Sequence, residues 1–317
     1  MDFATLPGRV ELGRELRANG MSSRVLRRLD TAGGIRGTRA VEVDPFDPCV
    51  RIRAAALATS AQSVVCGWSA AIVHGVSTKF VDGYWNTDEP LPILLNPVVL
   101  TRQRSGIRRM FSELGQGDVV VRRGMRVTSG VRTMFDCIRL GRGRHHALAL
   151  GDACLRFGLA SVDELLRYAE DHKGWRGVGV VRALAPLLSA YAESPMESAM
   201  RWEWLDAGLP SPLVNASVYD RHGYFVARPD LIDPVSGLVG EYNGEWHERS
   251  GQPIADADRM RRLRANGLRP LVLTRYDLVG KTLIARRRLN EAYWCASPPL
   301  TGPSRGVSIV PAGRDHD

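Results

Sequence analysis

Two carboxylates and an amide on neighbouring apolar runs are the residues of this chain best placed to do chemistry. Asp230 closes Arg228-Pro229-Asp230, at the end of a run that starts at Tyr224-Phe225-Val226, and Glu241 lies within Leu238-Val239-Gly240-Glu241-Tyr242. Asp233-Pro234-Val235-Ser236-Gly237 between them is turn chemistry. The spacing predicts a hairpin in which Asp230 and Glu241 converge at one end. Two hard oxygen ligands there would hold Mg²⁺ (or Mn²⁺), which takes one or two protein carboxylates beside waters and phosphate oxygens. Strand alternation turns Asn243 to the same side as Glu241. His247 follows, as a proton donor or phosphate contact, or as a hydrogen-bonded loop histidine.

The elements around the hairpin must position these groups. Ser194-Pro195-Met196-Glu197 opens a predicted helix to about Ala207, with Gly208 as its stop. Glu197 has two readings: the third residue of a capping box behind Ser194 and Pro195, or a third acid facing the Asp230/Glu241 pair. Downstream, Asp256, Arg259, Leu263 and Gly267 share one face of a predicted helix, with Asp256–Arg259 as a surface ion pair. Arg259 and Arg262, with Arg261 and Arg264, make that helix a candidate phosphate-backbone surface. Pro270–Thr274 reads as a buried strand. Helix, strand, strand, helix, strand is the order of a compact α/β unit.

The first 44 residues predict a small helical DNA-binding region. One helix carries Val10, Leu12 and Leu16 and stops at Asn19-Gly20. A second runs from Ser22 to Ala32, and Ile35–Val43 forms a wing-like strand or hairpin. Arg24, Arg27 and Arg28 fall on one face of the second helix. In a helix-turn-helix that face would enter the major groove; otherwise it is a solvated arginine face. The middle of the chain alternates helices with short strands at Val64-Val65, Ile93-Leu94-Leu95, Val119–Val121 and Met125–Val127. His74 reads as a helix-end or core histidine, and Arg132, Thr133 and Asp136 as capping and an ion pair.

A formal net charge of +9 over 317 residues favours a polyanionic partner, and all but three of the 43 basic residues are arginine. The five cysteines are scattered without metal-knuckle spacing. With no signal peptide and no long apolar run, the expectation is a reduced, cytoplasmic chain with no membrane partner. The expected division is 1–44 winged-helix-like, 45–190 middle α/β, 191–295 catalytic-type α/β, and 296–317 a Pro-, Gly- and Arg-rich disordered tail. The fold class is therefore α/β (α+β).

Residues 194 to about 278 resemble the PD-(D/E)XK nuclease superfamily, in particular its very-short-patch-repair-like branch. The matching pieces are Pro195-Met196-Glu197-Ser198, Arg228-Pro229-Asp230-Leu231, Glu241-Tyr242-Asn243-Gly244 with His247, and the Asp256, Arg259, Leu263, Gly267 series. Residues 8 to about 140 resemble AbiE-type abortive-infection antitoxins through Leu16–Gly20, Trp68–Ala71 and Thr128-x3-Arg132-Thr133-x2-Asp136. The first resemblance implies a restriction-endonuclease-like core in which Asp230 and Glu241 hold Mg²⁺, Glu197 assists, and metal-activated water attacks a DNA phosphate. The second implies a winged helix, DNA as partner and a cognate toxin. The pattern departs at Asn243, where the branch usually has aspartate and the wider superfamily lysine, and at Trp246, where histidine is frequent. An amide adds neither the charge that binds a cation nor the lysine that stabilises an anionic transition state. Two functions follow as expectations: a metal-dependent DNA endonuclease, or an antitoxin-type DNA-binding regulator with a degenerate nuclease-like domain.

Overall fold

The computed structural model describes residues 9–81, 93–96, 105–244, 252–278, 284–294 and 306–313. The chain is a mixed α/β protein of two compact units. The first comprises residues 1–141 and 153–188, and the second residues 142–152 and 189–317.

The first unit opens with β1 (Arg9–Leu12), α1 (Gly13–Ala18), α2 (Ser23–Leu26) and β2 (Thr38–Val41). This differs from the expected helical pair. Val10 and Leu12 lie on a strand, because β1 pairs antiparallel with β2 in the register Arg9↔Val41 to Leu12↔Thr38. The second helix is four residues long, not eleven. Ser22 caps it by accepting from the Val25 N–H, but Arg39 Nε donates to the Leu26 carbonyl at its other end. The Asp30 carbonyl accepts from the Ala40 N–H. These long-range bonds claim backbone that a longer helix would use, so tertiary pairing overrides local helix propensity. Residues 9–44 fall within the first unit.

The middle of this unit follows the expected alternation: α3 (Pro48–Ala58), β3 (Val64–Val65), α4 (Gly67–His74), β4 (Ile93–Asn96), β5 (Arg108–Phe111), β6 (Val119–Arg122), β7 (Met125–Thr128) and α5 (Gly130–Arg139). The five strands form one sheet in the order β5-β4-β3-β7-β6. His74 ends α4, with Nε2 2.7 Å from the Thr128 carbonyl. In chain order α6 (Arg144–Arg156), of which residues 144–152 belong to the second unit, precedes α7 (Val162–Asp171) and α8 (Val178–Leu184).

The second unit contains α9 (Pro195–Asp206), β8 (Leu213–Val214), β9 (Ser217–Tyr219), β10 (Phe225–Ala227), β11 (Leu231–Ile232), β12 (Leu238–Asn243), α10 (Gln252–Ala265), β13 (Arg269–Thr274), α11 (Arg275–Leu278), α12 (Ile284–Trp294) and β14 (Ser308–Val310). Its four-stranded sheet has the order β13-β12-β11-β8. β12 runs parallel to β13 through the α10 crossover and antiparallel to β11. Gly240 faces α9: a Cβ there would lie 3.3 Å from Met200 Sδ and 3.5 Å from the Trp204 ring. Val239 and Ile232 face the other way and pack with Leu263 and Met260 of α10.

Two expectations are corrected here. The run from Tyr224 to Asp230 is not one strand. β10 pairs with β9 in a separate three-stranded sheet, and Pro229, which has no N–H to give a ladder, falls in the break. The 296–317 tail is not wholly without structure, since Ser308–Val310 pairs antiparallel with Ser217–Tyr219. Three strand-forming residues were hidden by the composition around them. Among the described residues, no helix is long and apolar enough to cross a membrane.

Candidate active site

The turn between β11 and β12 is built by Asp233, whose carboxylate accepts from the Val235 and Ser236 N–H groups. Its main chain bonds Gly237 and Leu238, and Gly237 has a φ of 69°, which suits glycine. This turn sets the register Leu231↔Gly240 and Ile232↔Val239. One position further along, Asp230 stands beside Glu241, and Asp230 Oδ2 accepts from the Tyr242 N–H at 2.7 Å. The register thus sets Asp230 opposite Glu241, with the Asp230 carboxyl on the Tyr242 N–H and the Glu241 carboxylate on Arg259.

Each acid has its own surroundings. Glu241 is buried, and Arg259 Nη2 of α10 lies 2.8 and 2.9 Å from its two oxygens. The same nitrogen donates to the Arg228 carbonyl at 2.8 Å. Arg259 thus serves an ion pair inside the unit and is not turned out toward a phosphate backbone, in contrast to its expected DNA-binding role. Its expected partner Asp256 lies where side chains are outside the described residues. Arg262 is exposed, as a phosphate contact would need. Burial, and after it the like charge of Glu197, pushes the Asp230 carboxyl up to about 7 against the opposing Tyr242 N–H and Arg259 guanidinium.

Glu197 is buried at the start of α9. Its N–H donates to Ser194 Oγ, as an N-cap predicts. The return half of the capping box is changed: Glu197 Oε2 accepts from the Glu193 N–H at 2.8 Å. The same oxygen accepts from Asn215 Nδ2 at 2.8 Å. Burial raises its proton affinity despite these donors. Glu197 therefore acts as a cap and also as a charge felt by Asp230. Asn243 is exposed at the end of β12, in register with Thr274. His247 and Trp246 lie outside the described residues.

Sequence reasoning missed Asn215 and Glu193. Asn215 has a φ of 50°, in the left-handed region that asparagine tolerates better than most residues. From there its N–H reaches the Asp230 carbonyl and its side chain reaches Glu197 and the Tyr191 carbonyl. A lone asparagine between Val214 and Ala216 was the available signal. Glu193 pairs with Arg228 at 2.9 Å.

These positions do not fit a divalent ion as they stand. Both oxygens of Glu241 face Arg259, Glu197 Oε2 is taken by two donors, and no group of three or more His, Cys, Asp or Glu side chains among the described residues is placed to hold a metal. Arg24, Arg27 and Arg28 are exposed at α2 and its closing turn, on a helix shorter than a recognition helix needs.

No protein-family profile and no solved structure matches the chain. It is similar to two proteins of Mycobacterium tuberculosis, from strains CDC 1551 / Oshkosh and H37Rv, each described as uncharacterised. Each is 28% identical over 206 residues, covering 65% of this chain and 72% of the relative.

Proposed function

We propose that this chain is a DNA-binding regulator of antitoxin type, acting in the cytoplasm, whose second unit is a PD-(D/E)XK-like scaffold locked against hydrolysis. The observation that carries the reading is Arg259 spanning both oxygens of Glu241. An internal guanidinium takes the position where the resemblance calls for a cation, and Asn243 supplies neither the aspartate nor the lysine of that pattern. The formal net charge of +9 and the exposed Arg24, Arg27, Arg28 and Arg262 support a DNA partner. A cognate toxin belongs to the same reading. The test has two arms. Supercoiled plasmid with protein and Mg²⁺ or Mn²⁺ stays intact, while gel shifts show salt-dependent, sequence-selective binding that weakens when Arg24, Arg27 and Arg28 become alanine. Nicking that disappears in Asp230→Ala and Glu241→Ala sinks the proposal, as does equal affinity for every duplex.

One observation favours the second reading, a metal-dependent endonuclease. Asp230 and Glu197 hold protons more tightly than ordinary carboxyls. Crowded acids of this kind are relieved by a cation, provided Arg259 leaves Glu241. The same plasmid assay separates the readings.

A further inference from the structure

The chain contains three Asn-Gly pairs, Asn19-Gly20, Asn243-Gly244 and Asn266-Gly267. A glycine after asparagine has no side chain to keep its backbone nitrogen away from the asparagine amide carbon. Whether that nitrogen can react depends on how its N–H is held. At Asn19-Gly20, which closes α1, the Gly20 N–H donates to the Arg17 carbonyl at 3.1 Å. At Asn266-Gly267, just past α10, the Gly267 N–H donates to the Arg264 carbonyl at 3.0 Å. The Asn266 amide is held as well, donating from Nδ2 to the Arg262 carbonyl at 3.0 Å. Asn243-Gly244 differs in both respects. Asn243 is exposed and is the last residue of β12, and Gly244 lies beyond the final pair of the β12–β13 ladder, Asn243↔Thr274. Neither the Asn243 side-chain amide nor the Gly244 N–H has a hydrogen-bond partner among the described residues.

We propose that Asn243 is a self-modification site, converting to aspartate or isoaspartate. The Gly244 nitrogen, its proton taken by solvent base, attacks Asn243 Cγ. The Cγ–Nδ2 bond breaks, the amide nitrogen leaves as ammonia, and a five-membered succinimide closes. Water then adds to either ring carbonyl and opens it, so the net change is one water consumed and one ammonia released. The free N–H at the strand end reaches the attacking geometry by local rotation, whereas those of Gly20 and Gly267 must first leave their carbonyls. The product places a carboxylate two residues, or about 7 Å, along the strand from Glu241 and on the same face. An anion is thereby added to the end of β12 where Asp230 and Glu241 already stand. The conversion draws on the chain and water alone and does not depend on the DNA-binding reading.

Ageing the full folded chain at mildly alkaline pH in heavy-oxygen water, with peptide mapping by mass spectrometry, tests it. Amide-to-acid conversion with uptake of the heavy oxygen is expected at Asn243 at least about fivefold faster than at Asn19 or Asn266, the order set by a held against a free N–H. In urea, where those hydrogen bonds are gone, the three pairs react at similar rates. Gly244→Ala slows conversion at Asn243 and leaves the other two pairs unchanged, and circular dichroism confirms that this variant is folded. Conversion at Asn243 no faster than at the other pairs in the folded chain overturns the proposal. The same ranking in urea also overturns it, because the cause would then lie in the neighbouring residues and not in the fold. Plasmid and gel-shift assays on fresh protein are unaffected by either outcome, so the two proposals fail separately.

Discussion

Arg132 in the first unit and Arg259 in the second each satisfy buried acids, yet their surroundings differ in charge balance. Arg132 is fully buried. It donates to Asp136 from Nε at 3.0 Å, to Asp118 from Nη1 at 2.8 Å and to Ser112 from Nη2 at 3.0 Å, and its guanidinium lies 4.5 Å from the Trp175 ring. Arg139 takes the other Asp136 oxygen at 2.6 Å, and the Tyr168 hydroxyl the other Asp118 oxygen at 2.8 Å. Two cations meet two anions, and the cluster is closed. Around Arg259 the acids Glu193, Glu197, Asp230 and Glu241 lie close together, with Arg228 on Glu193 and Arg259 on Glu241. Burial, with like charge behind it, raises the proton affinity of Asp230 and Glu197. A balanced buried cluster is architecture; an unbalanced one at a sheet end keeps capacity for a ligand or a proton.

The comparison is broken or sharpened by three substitutions, taken from the largest expected effect. Arg132→Leu strands Asp118 and Asp136 without their cation and should cost about 5 kcal/mol, the upper end for breaking a buried pair. Urea unfolding measures this, and a loss under about 1 kcal/mol would mean the network is not closed as described. Arg259→Ala leaves Glu241 buried beside other acids but within reach of some water, so a loss of about 2–3 kcal/mol is expected. Adding Glu241→Gln to that chain should recover most of it. Independent, additive losses would remove the claim that Arg259 neutralises Glu241.

The smallest effect carries a pH signature. Asp230 has its folded proton affinity raised from 3.8 to about 7. Its contribution to stability is therefore full below about pH 4 and is lost as pH rises toward about 7. Asp230→Asn keeps an acceptor for the Tyr242 N–H and removes the charge. It should leave stability unchanged near pH 4 and raise it by about 2 kcal/mol near pH 8, a figure reduced for the remaining contact with solvent. Denaturation midpoints at both pH values decide it, and an equal change at the two would show that ionisation is not the cause.

Much of this was legible from local chemistry. The Asp233–Gly237 turn dictates the β11–β12 register, and that register alone brings Asp230 beside Glu241. The Ser194-Pro195 start of α9 and the i, i+4 relation of Arg132 to Asp136 are likewise near-neighbour effects. The end of α2 was not legible, because Arg39 and Ala40 reach it from the far side of a turn. Nor was the break of the Tyr224 run into two sheets, which depends on β9 taking β10 as its partner.

The amino-acid order by itself determined which residues could bear charge at the hairpin and which turn would bring them together, since both depend on bonds spanning a few residues. Only the tertiary structure decided that Arg259 closes on Glu241 and that Asn215 holds Glu197. Those outcomes depend on how helices and strands distant in sequence pack, and the free energy of a charge is set by its neighbours in space.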